Sequence, residues 1–137
     1  ATATNVTLAA DTISVINYTG AAAATMTLPA ATAGTIVVYC QSKDTTGGTA
    51  TLVFDAAGSD VWATGSVIES RASNEVTFDT SAAGETKLTF TPANAATNLL
   101  TTGGQIAFIC YEDATWHIAT KLAAETTQVT GAFVFAA

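Results

Sequence analysis

Apolar and polar residues alternate in short runs from one end of the chain to the other. The runs are Asn5-Val6-Thr7-Leu8, Thr12-Ile13-Ser14-Val15-Ile16, Thr25-Met26-Thr27-Leu28, Thr49-Ala50-Thr51-Leu52-Val53-Phe54, Glu75-Val76-Thr77-Phe78 and Lys87-Leu88-Thr89-Phe90. A period of two sends successive side chains to opposite faces of a pleated strand, so each run predicts a β-strand with one buried face. Two further stretches, Thr35–Cys40 and Gln105–Tyr111, are apolar almost throughout and predict buried strands. Both fall far short of the roughly 20 residues a helix needs to cross a bilayer. Gly, Pro, Asn and Asp punctuate the runs every 8–12 residues or so, the spacing of a sandwich. The predicted fold is all-β: an antiparallel β-sandwich, jelly-roll-like. Ala21–Ala24 and Ala93–Thr97 are too short to stand alone as helices and are assigned to loops, with a single helical turn after Pro92 as an option.

No shift in composition divides the 137 residues, a length that suits one domain with a core of its own. The expected organisation is residues 1–12 as an N-terminal arm or first strand, 13–130 as the sandwich, and 131–137 as a C-terminal apolar strand. Met26-Thr27-Leu28-Pro29-Ala30 through Val38-Tyr39-Cys40-Gln41 is weakly echoed by Leu88-Thr89-Phe90-Thr91-Pro92-Ala93 through Ile109-Cys110-Tyr111-Glu112. Each is a strand, a Pro-Ala turn, a loop and a strand holding Tyr and Cys.

Composition narrows the function. About one residue in five is threonine and another fifth is alanine, while 11% are charged, about half the usual share. Threonine keeps the outward face of a strand wet without adding charge. A net charge of −7 and only four basic residues, Lys43, Arg71, Lys87 and Lys121, oppose binding to nucleic acid or an anionic membrane. Ala1–Asn5 has neither the basic nor the apolar region of a secretory signal, as a trimmed mature form would also lack. Cys40 and Cys110 lie in apolar runs and are read as buried free thiols, a bridge between them being the alternative.

Side chains able to do chemistry are scattered. His117, in Ala114-Thr115-Trp116-His117-Ile118, faces away from the core if Trp116 and Ile118 face it, and has no ligand spacing around it. No Gly-x-Ser-x-Gly elbow is present. Glu112-Asp113 beside Trp116 is the one acidic and aromatic grouping, but neighbouring residues on a turn point apart. Asp44, Asp55, Asp60 and Asp113 fall in predicted loops without a calcium-binding pattern. Thr-x-Thr pairs recur at irregular spacing, unlike an ice-binding array. No catalytic, metal or cofactor site is expected.

Contact residues are the better candidates. Phe133, Val134 and Phe135 end the chain on an apolar strand, which closes its own sheet or pairs across a subunit boundary by strand addition. Trp62, bounded by loops, is the aromatic expected near a surface.

Leu28-Pro29-Ala30-Ala31-Thr32-Ala33-Gly34-Thr35, the strand Ile36-Val37-Val38-Tyr39, Thr49–Phe54, a Gly-Ser-Asp turn and the closing Ala114-Thr115-Trp116-His117-Ile118 together resemble small β-rich structural proteins of tailed bacteriophages, over about residues 25–120. The resemblance implies a non-enzymatic virion component, a capsid decoration or cement protein bound between capsomers on the outer head surface. It further implies a homo-oligomer, commonly a trimer, whose partner is the major capsid protein, assembled in the host cytoplasm. The rival expectation is a receptor- or carbohydrate-binding module of a fibre or adhesin, with Trp62 and the Asp44–Gly47 loop at its tip. A small hydrolase using Glu112 or Asp113 is a third.

Overall fold

Twelve strands form among residues 5–45, 49–71, 76–91, 102–122 and 133–137, the part of the chain that the computed structural model describes. They are β1 (Asn5–Thr7), β2 (Thr12–Ile16), β3 (Ala24–Thr27), β4 (Ile36–Gln41), β5 (Leu52–Asp55), β6 (Val61–Trp62), β7 (Val67–Arg71), β8 (Val76–Thr80), β9 (Lys87–Phe90), β10 (Gln105–Glu112), β11 (Thr115–Leu122) and β12 (Phe133–Ala136). Sheet I has the order β1-β3-β5-β9-β12 and sheet II the order β2-β4-β10-β11-β6; β7 and β8 make a separate two-stranded hairpin. The two large sheets pack face to face as an all-β sandwich.

From β1 to β6 the chain changes sheet at every strand. The returns to β3, β4 and β5 each lay a strand beside its predecessor in the same direction, so β1/β3, β2/β4 and β3/β5 are parallel, whereas β6 goes to the far edge of sheet II and runs parallel to β11. The remaining pairs, β4/β10, β10/β11, β5/β9, β9/β12 and β7/β8, are antiparallel. The expected antiparallel pairing therefore holds only in part, and the mixed sheets depart from a jelly roll. Alternation reports which face a side chain takes, not the direction of its neighbour. A parallel pair needs a long connection, and here the intervening strand in the other sheet supplies it. The sequence echo has a counterpart: β3 and β9 flank β5 in sheet I, while β4 and β10 pair in sheet II.

The inward faces meet in one core. Tyr39 packs edge-on against Phe54 with centroids 5.1 Å apart, Phe54 on Phe108 at 5.1 Å, Phe108 on Trp62 at 5.5 Å and Trp62 on Phe135 at 5.7 Å. Buried Gln41 is satisfied within this core: its Nε2 donates to the carbonyls of Tyr18 and Lys43, and its Oε1 accepts from the Tyr39 hydroxyl. Burial raises the Tyr18 phenol to about 12, and its hydroxyl donates to the Ala50 carbonyl.

Carboxylates fasten the crossings between the sheets. The loop from β3 to β4, which holds the Leu28–Thr35 motif, is pinned where Asp60 Oδ2 accepts from Ala31 N at 2.7 Å and Asp113 Oδ1 from Ala33 N at 2.9 Å. The β10–β11 turn carries Ala114 at φ 64°, a left-handed conformation that costs an L-residue about 1–2 kcal/mol. Glycine avoids that strain but loses more entropy on folding. Ala114→Gly is therefore expected to stabilise the protein by roughly 0.5–1 kcal/mol in chemical denaturation; a loss of stability would show that the methyl group packs usefully in the turn.

Candidate interaction face

The two outward faces of the sandwich differ in chemistry. On sheet I the cross-strand rows read Asn5-Thr25-Val53-Thr89-Val134 and Thr7-Thr27-Asp55-Lys87-Ala136, a hydroxyl-rich surface with one acid and one base. On sheet II they read Ile13-Val38-Ala107-Thr120, Val15-Cys40-Gln105 and Ile36-Ile109-His117. These three rows contain no carboxylate or lysine. Ile13 is 65% exposed, Val15 54% and Ile36 44%. A shallow hollow of about 270 Å³ lies among Asp11, Thr12, Ile13, Ile36 and Val38.

The reason lies in β4 and β10, central neighbours in sheet II that are apolar at successive positions rather than alternate ones. Val37 and Tyr39, with Ile106, Phe108 and Cys110, point into the core. Their neighbours Ile36, Val38, Ala107 and Ile109 therefore point outward. A run apolar on both faces is characteristic of a strand covered on both sides, and among the described residues only one side is covered.

At the β6 side of the same face, an irregularity in the β10/β11 register passes over Tyr111, opposing Cys110 to Trp116 and Glu112 to Thr115. It leaves Tyr111 67% exposed, with its ring edge-on to His117 at 4.9 Å. Bulges commonly re-aim a side chain in this way. Beside the pair opens a cleft of about 390 Å³ lined by Trp62, Thr64, Gly84, Glu112, Thr115 and His117, among others. His117 Nε2 and the indole nitrogens of Trp62 and Trp116 are buried without a hydrogen-bond partner among the described residues.

The expected contact residues land elsewhere. Trp62, expected near a surface, is fully buried on β6. Phe133 and Phe135 are buried on β12, which pairs antiparallel with β9 and so closes the chain's own sheet. Their side chains fill the core, and of the three tail residues only Val134 faces outward, at 46% exposure. The β7–β8 hairpin lies against β12, where Asp79 Oδ2 accepts from Phe135 N at 2.6 Å. Lys121 reaches across from β11, donating to the Glu69 carbonyl and lying 4.5 Å from the Phe133 ring centroid. The alternation around Trp62 was too short to assign its face.

His117 does face outward as expected. Asp113 is engaged by Ala33 N, whereas Glu112 borders the cleft. Asp44 serves the turn at Thr102 while Asp60 and Asp113 both pin the β3–β4 loop, and no group of three or more His, Cys, Asp or Glu residues able to hold a metal occurs among the described residues. Cys40 and Cys110 are free thiols; Cys110 is buried as expected, but Cys40 is only half-buried on the outer face. Residues 1–4 of the arm, Thr46 and Gly47 of the proposed tip, the turn after Pro92, and Gly131 and Ala132 lie outside the described residues.

No protein family, curated protein or solved structure that was compared matches the chain.

Two outcomes follow from the geometry. Cys110 is buried, which pushes its thiol up, and it donates to the Glu112 carbonyl, so a thiol reagent is expected to modify Cys40 and spare Cys110 in the folded protein; equal rates by mass spectrometry would contradict this. Asp44 Oδ1 accepts from Thr102 N at 2.7 Å and from its hydroxyl at 2.9 Å, holding the carboxyl below its ordinary value of 3.8. A lowered folded value means that the stabilisation is full above the ordinary value and is lost as pH falls through the lowered one. The Thr102 amide resonance is expected to report that acid titration, and Asp44→Asn to abolish it.

Proposed function

We propose that the protein is a non-enzymatic structural module of the bacteriophage-decoration kind, and that it stabilises a phage head by seating the outer face of sheet II between capsomers. The observation that carries this reading is the apolar outer face of β4 and β10, left without cover by the described residues on a chain otherwise rich in threonine. Burial of an aliphatic side chain contributes about 1.5–3 kcal/mol, less the cost of association. A few such residues per copy, repeated over a shell, give substantial reinforcement. The reading places the protein as a homo-oligomer on the outer surface of the virion, with the major capsid protein as its partner and assembly in the host cytoplasm. Free cysteines agree with a reducing compartment, and a charge of −7 argues against nucleic acid as the partner.

A second reading, a carbohydrate- or receptor-binding module, draws on exposed Tyr111 beside the cleft that Glu112, Thr115 and His117 border. An aromatic face with polar groups around it suits a sugar ring. Tyr111 replaces Trp62 as the residue to vary.

Cosedimentation with shells of the major capsid protein encoded in the same genome tests the first reading. Saturable binding is expected, unchanged by Thr27→Asp on sheet I and weakened at least about tenfold by Ile109→Asp, because a carboxylate would be buried without a partner. Absence of shell binding, together with glycan retention lost on Tyr111→Ala, would favour the second.

A further inference from the structure

The four outer edges of the two sheets are treated unequally. At one side of the sandwich, β12 is flanked by the β7–β8 hairpin, with Asp79 accepting from Phe135 N. The edge of β6 is closed by the turn before β9, where Trp62 N donates to Glu85 O at 2.8 Å. At the other side, β1 and β2 pair only inward, with β3 and β4, among the described residues. β2, Thr12-Ile13-Ser14-Val15-Ile16, has none of the usual devices that blunt an edge: no lysine, no proline and no register break.

We propose that β2 is a homodimerisation edge, pairing antiparallel with β2 of a second copy about a two-fold axis at Ser14. Ser42 N donates to Ile16 O at 2.7 Å, which directs the peptide groups of Ile16 toward β4, and with them those of Ser14 and Thr12. Peptide groups alternate along a strand, so the N–H and C=O of Ile13 and Val15 point to the open edge. Centred on Ser14, Ile13 of one copy meets Val15 of the other, and the two equivalent pairs form four backbone hydrogen bonds.

The same strand self-matches because the operation is its own inverse, the condition for a closed two-fold interface. It also covers Ile13 and Val15, both more than half exposed, without bringing like charges together on a chain of net charge −7. The two copies of sheet II become one continuous sheet. Two-fold closure stands in place of the trimer that the phage resemblance implies, and it does not depend on what the outer face of sheet II seats against.

Cross-linking tests the register directly. Opposed residues in a non-hydrogen-bonded antiparallel pair have Cα atoms about 4.5 Å apart, within disulfide range. With Cys40 replaced by serine, Ser14→Cys is expected to oxidise to a covalent dimer. Val15→Cys, displaced from its own copy by two register positions, is expected to stay largely monomeric on the same gel. Light scattering of the unmodified chain is expected to show monomer passing to dimer with concentration, an equilibrium weakened at least tenfold by Val15→Pro, which removes only an edge N–H, and by Val15→Lys. Circular dichroism identifies any variant that fails to fold, in which case the remaining variant and the cross-link decide. A monomer at every concentration, a trimer, an association indifferent to the Val15 variants, or equal cross-linking at 14 and 15 would overturn the proposal. Monomeric Val15 variants that still bind shells would leave the decoration reading intact, and dimers that bind none would leave the dimer intact.

Discussion

The chain of ring contacts from Tyr39 through Phe54, Phe108 and Trp62 to Phe135 is the constraint on which the rest of the molecule rests. Its members come alternately and unevenly from β4, β5, β10, β6 and β12, so it joins parallel windings to antiparallel strands and one sheet to the other. Edge-on and tilted rings at these separations gain about 0.5–1.5 kcal/mol per pair beyond the area they bury. Because these aromatic side chains face inward, the residues on either side of them must face out. In β4 and β10 most of those residues are aliphatic, and the apolar rows on the outer face of sheet II follow.

Acidic residues have a second task in this arrangement. Asp11, Asp44, Asp60, Asp79, Glu85 and Asp113 each accept a backbone N–H from a turn, loop or strand end. These amides have no strand partner at those points, and a carboxylate makes a stronger acceptor than a neutral oxygen. Much of the acidity that first reads as a repulsive surface thus holds the irregular segments in place. The same use commits Asp44 to the turn at Thr102, and Asp60 and Asp113 to nearby amides of the β3–β4 loop.

Strand existence was legible in the sequence because period two is a direct consequence of the pleat, and Val6, Met26, Leu52 and Leu88 sit where alternation predicts. Strand direction was not, since parallel and antiparallel neighbours impose the same alternation. The burial of Trp62 was missed because two residues of strand give no periodicity to count. The uncovered face had a signal in Ile36-Val37-Val38-Tyr39-Cys40, whose consecutive apolar residues cannot all share one side of a strand. Read only as burial, that run hides its second face. Tyr111 depends on a local register irregularity, which residue type alone does not reveal.

The passage of β1 to β6 back and forth between the sheets also governs how the protein must be made. Strands that lie side by side are separated in sequence by a full circuit, as Thr25 is from Val53 and Ile13 from Val38. Closing such circuits costs chain entropy before any ladder bond repays it, which slows folding relative to a meander of hairpins. Neither sheet can be completed while the other is unformed, because each strand of this stretch is the tether of the next. Folding is therefore all-or-none and late: a nascent chain holds its apolar β4 unsheltered until β10, some 65 residues on, has been synthesised and has paired with it.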